Sequence, residues 1–130
     1  MNVLLDTCAI IWAISEPARL TERVRQVLEE ADTVVSVSPI SCAEIACAVS
    51  AGRIEIEGHW RSWLRDHVDS NGWTPVAIDL DVIEEAYSLP EPFHRDPADR
   101  ILVATARLAR IPLVTADRKI LDYPHVRTLW

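Results

Sequence analysis

Five short strand-like runs, separated by segments of helical length, constrain this chain more than any other feature. They occupy residues 3–5, 33–37, 75–78, 113–115 and 126–129. Runs so short and so apolar suit strands buried on both faces, as in a parallel sheet. The segments between them carry helical spacing instead. Apolar residues from 8 to 14 form one such segment, closed by Glu16 and Pro17. Val24, Val27, Leu28 and Ala31 recur at i, i+3, i+4 and i+7 behind Thr21, a residue type that caps helix N-termini. A helix over 41–51 is expected to stop at Gly52, and Trp60, Trp63, Leu64, His67 and Val68 share a further helical face that ends near Asn71 and Gly72. Val82, Ile83, Ala86 and Tyr87 mark a short helix, and Pro90 and Pro92 hold the next loop open. Asp96-Pro97 opens another helix, with Asp as cap and Pro in the first position, and Ile101, Leu102, Thr105, Ala106, Leu108 and Ala109 as its inner face. The alternation predicts an α/β domain whose central parallel sheet is covered by helices on both faces.

The 130 residues contain no Pro-, Gly- or Ser-rich linker, so one domain over 1–130 is expected, and 49% hydrophobic residues suffice for a core. A formal charge of −7 argues against a general electrostatic binder of nucleic acid. It leaves a nuclease open, because acids committed to a metal site count toward that total and a bound divalent ion reverses the local sign. All but one of the 13 basic residues are Arg, able to form a local phosphate-binding stripe. Cys8, Cys42 and Cys47 lie in apolar helical patterns without CxxC spacing and read as small buried residues in a reducing cytoplasm. His59, His67, His94 and His125 are scattered, which leaves a zinc site unsupported and places each on the surface or in the core. Trp12, Trp60 and Trp63 fit core stripes. No basic segment precedes the first apolar run, which argues against a signal peptide, and no run reaches membrane-spanning length.

Four acids stand where apolar runs end or helices begin: Asp6, Glu44, Asp99 and Asp117. Open α/β sheets gather ligands beyond the carboxyl ends of their strands, where Asp6 and Asp117 fall. Brought together, four carboxylates make hard oxygen donors suited to Mg²⁺ or Mn²⁺. Each acid also has a purely structural reading. Asp6 and Asp117 are able to cap the helices that follow, Ser41-x-x-Glu44 has the form of a capping box, and a first-turn Asp99 is favoured by the helix dipole. Asp96 reads as the helix cap. Position alone leaves Glu44 and Asp99 undecided between these roles.

The segments LLDTCAIIWAISEP, SCAEIACAVSAGRI and HRDPADRILVATARLARIPLVTAD, with the ending VRTLW, resemble a PIN domain of the VapC toxin type over almost the whole chain. That resemblance implies a single PIN-like domain, an Mg²⁺- or Mn²⁺-dependent endoribonuclease, a VapB-type antitoxin whose peptide covers the acidic groove, and a homodimer. It assigns the family's acidic quartet to Asp6, Glu44, Asp99 and Asp117, with Asp6 and Asp99 foremost as metal ligands. Thr7 and Thr115 fall beside the acids, where a hydroxyl orients a carboxylate or water. Many relatives carry a bulky Trp before the second acid, where this chain has Ala43. Arg100, Arg118 and Lys119 read as outward-facing or salt-bridged residues rather than phosphate ligands. The alternative is a non-catalytic PIN-fold module that binds RNA or protein, against which retention of all four acids speaks. A phosphoacceptor receiver would need an acid in the 33–38 run, and a haloacid-dehalogenase phosphatase would need DxD at Asp6; neither is present.

Overall fold

A computed structural model describes residues 1–130. Five parallel strands, β1 (Asn2–Leu5), β2 (Val34–Val37), β3 (Thr74–Pro75), β4 (Leu113–Val114) and β5 (Thr128–Leu129), form one sheet in the order β3-β2-β1-β4-β5. β1 is the central strand, with Val3 opposite Val35 on one side and Leu5 opposite Val114 on the other. Seven helices connect and cover the strands: α1 (Thr7–Ser15), α2 (Glu22–Glu29), α3 (Pro39–Ser50), α4 (Trp60–Asn71), α5 (Leu80–Ala86), α6 (Pro97–Ala109) and α7 (Arg118–Leu121).

Strand side chains alternate between the two faces, which explains why Val3–Leu5 of β1 and Leu113–Val114 of β4, buried on both, are apolar throughout. Val3, Leu5, Val35, Val37 and Val114 pack against α1, α2, α4 and Ile45 of α3. Leu4 and Leu113 point the other way, onto Leu102, Val103 and Ala106 of α6 and Ile120 of α7. α5 lies outside α6, burying Val82 and Ala86 against Ile101 and Ala104. Leu4, Leu5, Ile10, Leu102 and Leu113 are essentially inaccessible to solvent, and burial of each such side chain contributes about 1.5–3 kcal/mol.

Several local expectations shift: the last strand is Thr128–Leu129 rather than 126–129, and Leu108 and Ala109 at the end of α6 are exposed rather than on its inner face. The third strand is Thr74–Pro75 rather than 75–78: it is an edge strand, where a proline without an N–H is tolerated, and after Val76 donates to the Val37 carbonyl (2.9 Å) the chain departs for α5. α2 stops at Glu29, leaving Ala31 outside it. α3 begins at Pro39 instead of 41, because Ser38 is the cap, accepting from the Ile40 N–H at 3.2 Å, and Pro39 occupies the first helical position. Thr21 and Asp96 cap their helices as expected, accepting from Val24 N (3.2 Å) and Ala98 N (3.0 Å).

Candidate active site

The strand order reverses direction at β1: the chain moves outward through β2 and β3, then returns to place β4 on the opposite side. Helices that leave such a pair of strands diverge to opposite faces and open a crevice at the carboxyl ends. Asp6 and Asp117 stand at this crevice. The Asp6 N–H donates to the Val114 carbonyl at 3.0 Å, tying the end of β1 to β4, and Asp6 Oδ1 accepts from Ala9 N at 2.7 Å to cap α1. Asp117 follows β4 and caps α7 by accepting from Lys119 N at 2.9 Å, while its own N–H donates to Thr115 Oγ1 at 3.0 Å.

The other two acids arrive on helices. With Ser38 as cap, Glu44 lies in the second turn of α3, beyond reach of the cap backbone, so the Ser41–Glu44 capping box does not form. Glu44 instead accepts from Thr7 Oγ1 at 2.5 Å, and Thr7 shares a hydrogen bond with the fully buried Ser41 at 2.9 Å. The pair links α1 to α3 across the crevice. Asp99 is in the first turn of α6, with its Oδ2 2.6 Å from His94 Nε2. His94, Asp96 and Asp99 each offer a donor atom within 4.8 Å of the others.

All four acids, with Asp96, line one cavity of about 790 Å³. Burial pushes the Asp6 carboxyl from its ordinary 3.8 up to about 6; the Thr115 hydroxyl and the Ala9 N–H pull it down, and the charges of Asp99 and Asp117 raise it further. Glu44 and Asp99 are also raised, chiefly by burial, against the opposing hydrogen bonds from Thr7 and His94. These are carboxylates whose ionised forms are under-solvated and mutually repelling. A divalent cation relieves both penalties, so the donor set fits a hard ion such as Mg²⁺ or Mn²⁺.

Comparison with known proteins identifies the family and the fold. The model of the PIN domain family matches residues 3–126. The chain belongs to the PIN-domain family. This PIN domain is 38% identical over 134 residues to Ribonuclease VapC22 of Mycobacterium tuberculosis, a match that covers 99% of this chain and 98% of the relative. Among solved structures, it is similar in fold to VapBC2 from Rickettsia felis bound to a DNA fragment from its promoter (TM-score 0.74, 17% identity, 99% and 98% of the two chains covered). A toxin–antitoxin complex from Klebsiella pneumoniae is likewise similar (TM-score 0.67, 22% identity, 97% and 96% covered).

Several side chains of the PIN pocket differ from their sequence-based expectations. His94 stands behind the cavity rather than lining it, braced on Asp99, and its place two residues before the Asp96 cap was the available signal. Arg100 is not outward-facing; the salt-bridged reading holds, with Nη2 3.6 Å from Glu91 Oε1. It is buried, donating from Nε to His94 O (2.9 Å), from Nη1 to Ala86 O (3.0 Å) and from Nη2 to Phe93 O (2.9 Å), and so clamps the loop that carries His94. Arg118 and Lys119 are exposed on α7. Cys8 and Cys47 are exposed along the cavity and Cys42 is half-buried, because the apolar segments that hold them have one face on the crevice. Desolvation, with the charges of Asp6 and Glu44, pushes the Cys8 thiol up, away from the thiolate form that a nucleophile needs. Trp63 is core as expected, whereas Trp12 and Trp60 are half-buried.

Proposed function

We propose that this VapC-type PIN ribonuclease, acting as one domain over residues 1–130, hydrolyses RNA with Mg²⁺ or Mn²⁺ held by Asp6, Glu44, Asp99 and Asp117. The observation that carries the reading is the convergence of these four acids, from the ends of two strands, the second turn of α3 and the first turn of α6, on one cavity. Bound there, the divalent ion supplies Lewis-acid stabilisation of phosphate charge and a more acidic water. The chain supplies the rest. Asp6 and Asp99 are the principal ligands; the first is fixed by its cap to Ala9, the second by His94. The Thr7 hydroxyl holds Glu44 in the crevice, and Thr115 supports both Asp6 and the backbone of Asp117. Because one oxygen of Asp6 is committed to the α1 cap, its position toward the ligand site is set by the backbone before any ion arrives. Such pre-organisation is what fixes a reacting phosphate in line with its nucleophile.

The same reading makes the chain the toxin of a toxin–antitoxin pair, working in the cytoplasm, with an antitoxin segment covering the acidic groove. A homodimer is supported by the exposed apolar stripe of Leu80, Ile83 and Tyr87 at α5, which no other element of the chain covers. Purified protein incubated with RNA in Mg²⁺, Mn²⁺ or EDTA tests the assignment, with Asp99→Asn as the control. Metal-dependent cleavage that the variant loses supports it. Binding of RNA that ignores the chelator and produces no cleavage favours a non-catalytic module instead.

A further inference from the structure

The cavity that holds the acids has a second wall of different chemistry. Ile11, Trp12 and Ile54 make it apolar, and Arg53 is the single cation among the residues that line the cavity. Arg53 follows the end of α3, where Gly52 adopts φ +70° and the Arg53 N–H donates to the Ala48 carbonyl at 2.9 Å, so its backbone is fixed by the helix cap. Its side chain is exposed and makes no ion pair, although five acids share the cavity. The reason is separation: Arg53 stands beyond the C-terminal end of α3 with eight residues between it and Glu44, and the helical stretch from Glu44 to Ser50 alone spans roughly 9 Å at a rise of 1.5 Å per residue. The cavity therefore runs from a carboxylate end to an unpaired guanidinium.

We propose that Arg53 binds a phosphate of the RNA strand other than the one that is cut, and so sets the direction in which the strand crosses α3. The inference rests on the ribonuclease reading above. An RNA strand is a polyanion entering a pocket lined by five acids in a protein of formal charge −7. A divalent ion compensates the phosphate at the reaction centre only, and the neighbouring phosphates still need a counter-charge. A guanidinium on a rigid cap supplies it with a planar, bidentate donor set. The apolar wall beside it offers a dry surface to the attached bases. An acidic peptide would meet the same guanidinium but has no use for the carboxylate end of the cavity, which favours RNA as the occupant.

Steady-state cleavage of one RNA by wild type, Arg53→Gln, Arg53→Lys and Arg65→Gln decides the matter, with Arg65 an exposed α4 residue outside the cavity. The expected result for Arg53→Gln is a KM raised about tenfold with kcat within about twofold, and a salt dependence of log KM shallower by about 0.7 for one lost single-strand phosphate contact. Arg53→Lys should keep the wild-type salt slope and recover part of KM, Arg65→Gln should match wild type, and Mn²⁺ affinity without RNA should be unchanged throughout. An unaltered KM and slope in Arg53→Gln overturns the proposal. So does a joint fall in kcat and Mn²⁺ affinity, which marks a structural prop of the pocket, or weakened binding of an acidic antitoxin peptide with RNA kinetics intact. Absence of cleavage by wild type with Mn²⁺ is a separate failure, visible before any Arg53 variant is assayed, and removes the ribonuclease reading together with this inference.

Discussion

Replacing Asp6 by Asn should make the metal-free protein more stable while abolishing its activity. The unfolded chain ionises Asp6 near 3.8 and the folded protein near 6, chiefly because burial desolvates the carboxylate. Between those values the folded state holds the extra proton, so stability falls as pH rises through that window and remains lower above it. At 1.36 kcal/mol per tenfold change in proton affinity, the full penalty is about 3 kcal/mol. Asn carries no charge and caps a helix as well as Asp, so the bond to the Ala9 N–H survives. Urea unfolding in EDTA should therefore show Asp6→Asn more stable than wild type by about 1–3 kcal/mol at pH 8, with the gap closing as pH is lowered toward 4. Mn²⁺ at a hundredfold its Kd should stabilise wild type by about 2.7 kcal/mol and the variant far less. A variant less stable than wild type at pH 8, or a gap indifferent to pH, would refute the view that Asp6 is a strained anion held for a cation.

Two further substitutions separate scaffold from site. Arg100→Met removes three donors from buried or half-buried carbonyls and should cost at least about 3 kcal/mol in urea unfolding, since each buried group left unpaired costs about 1–3 kcal/mol. His94→Gln leaves the core intact but loosens Asp99. Calorimetric titration should show Mn²⁺ affinity lower by about tenfold or more, with the unfolding midpoint in EDTA little changed, as for other partners that orient a ligand.

What was legible in the chain was mostly local. Asp96-Pro97 and Thr21 announce their helices because a cap acts within three residues, and Val3–Leu5 of β1 and all of β4 are apolar because both faces are covered. Ser38-Pro39 carried the same kind of signal. Ser41 and Glu44, spaced as a capping box, competed with it, and the proline decided the helix start because its missing N–H is harmless only there. Asp6 and Asp117 could be placed in a crevice from strand-end position alone. Glu44 could not, since its role depends on Thr7, thirty-seven residues away in sequence. The salt bridge expected of Arg100 is present, but its burial was hidden for a related reason: nothing in its neighbours shows that three carbonyls from α5 and the following loop converge on it. The cysteines were misread because an apolar helix does not record which face borders a cavity and which the core.

The central claim is that a divalent ion sits among the four carboxylates. A crystal of the protein soaked in Mn²⁺ and measured at the manganese absorption edge locates that ion directly. The account predicts an anomalous peak in the crevice between β1 and β4, within bonding distance of Asp6 and Asp99, that disappears in Asp99→Asn. A peak elsewhere on the protein, or one in the crevice that persists unchanged in that variant, would contradict it.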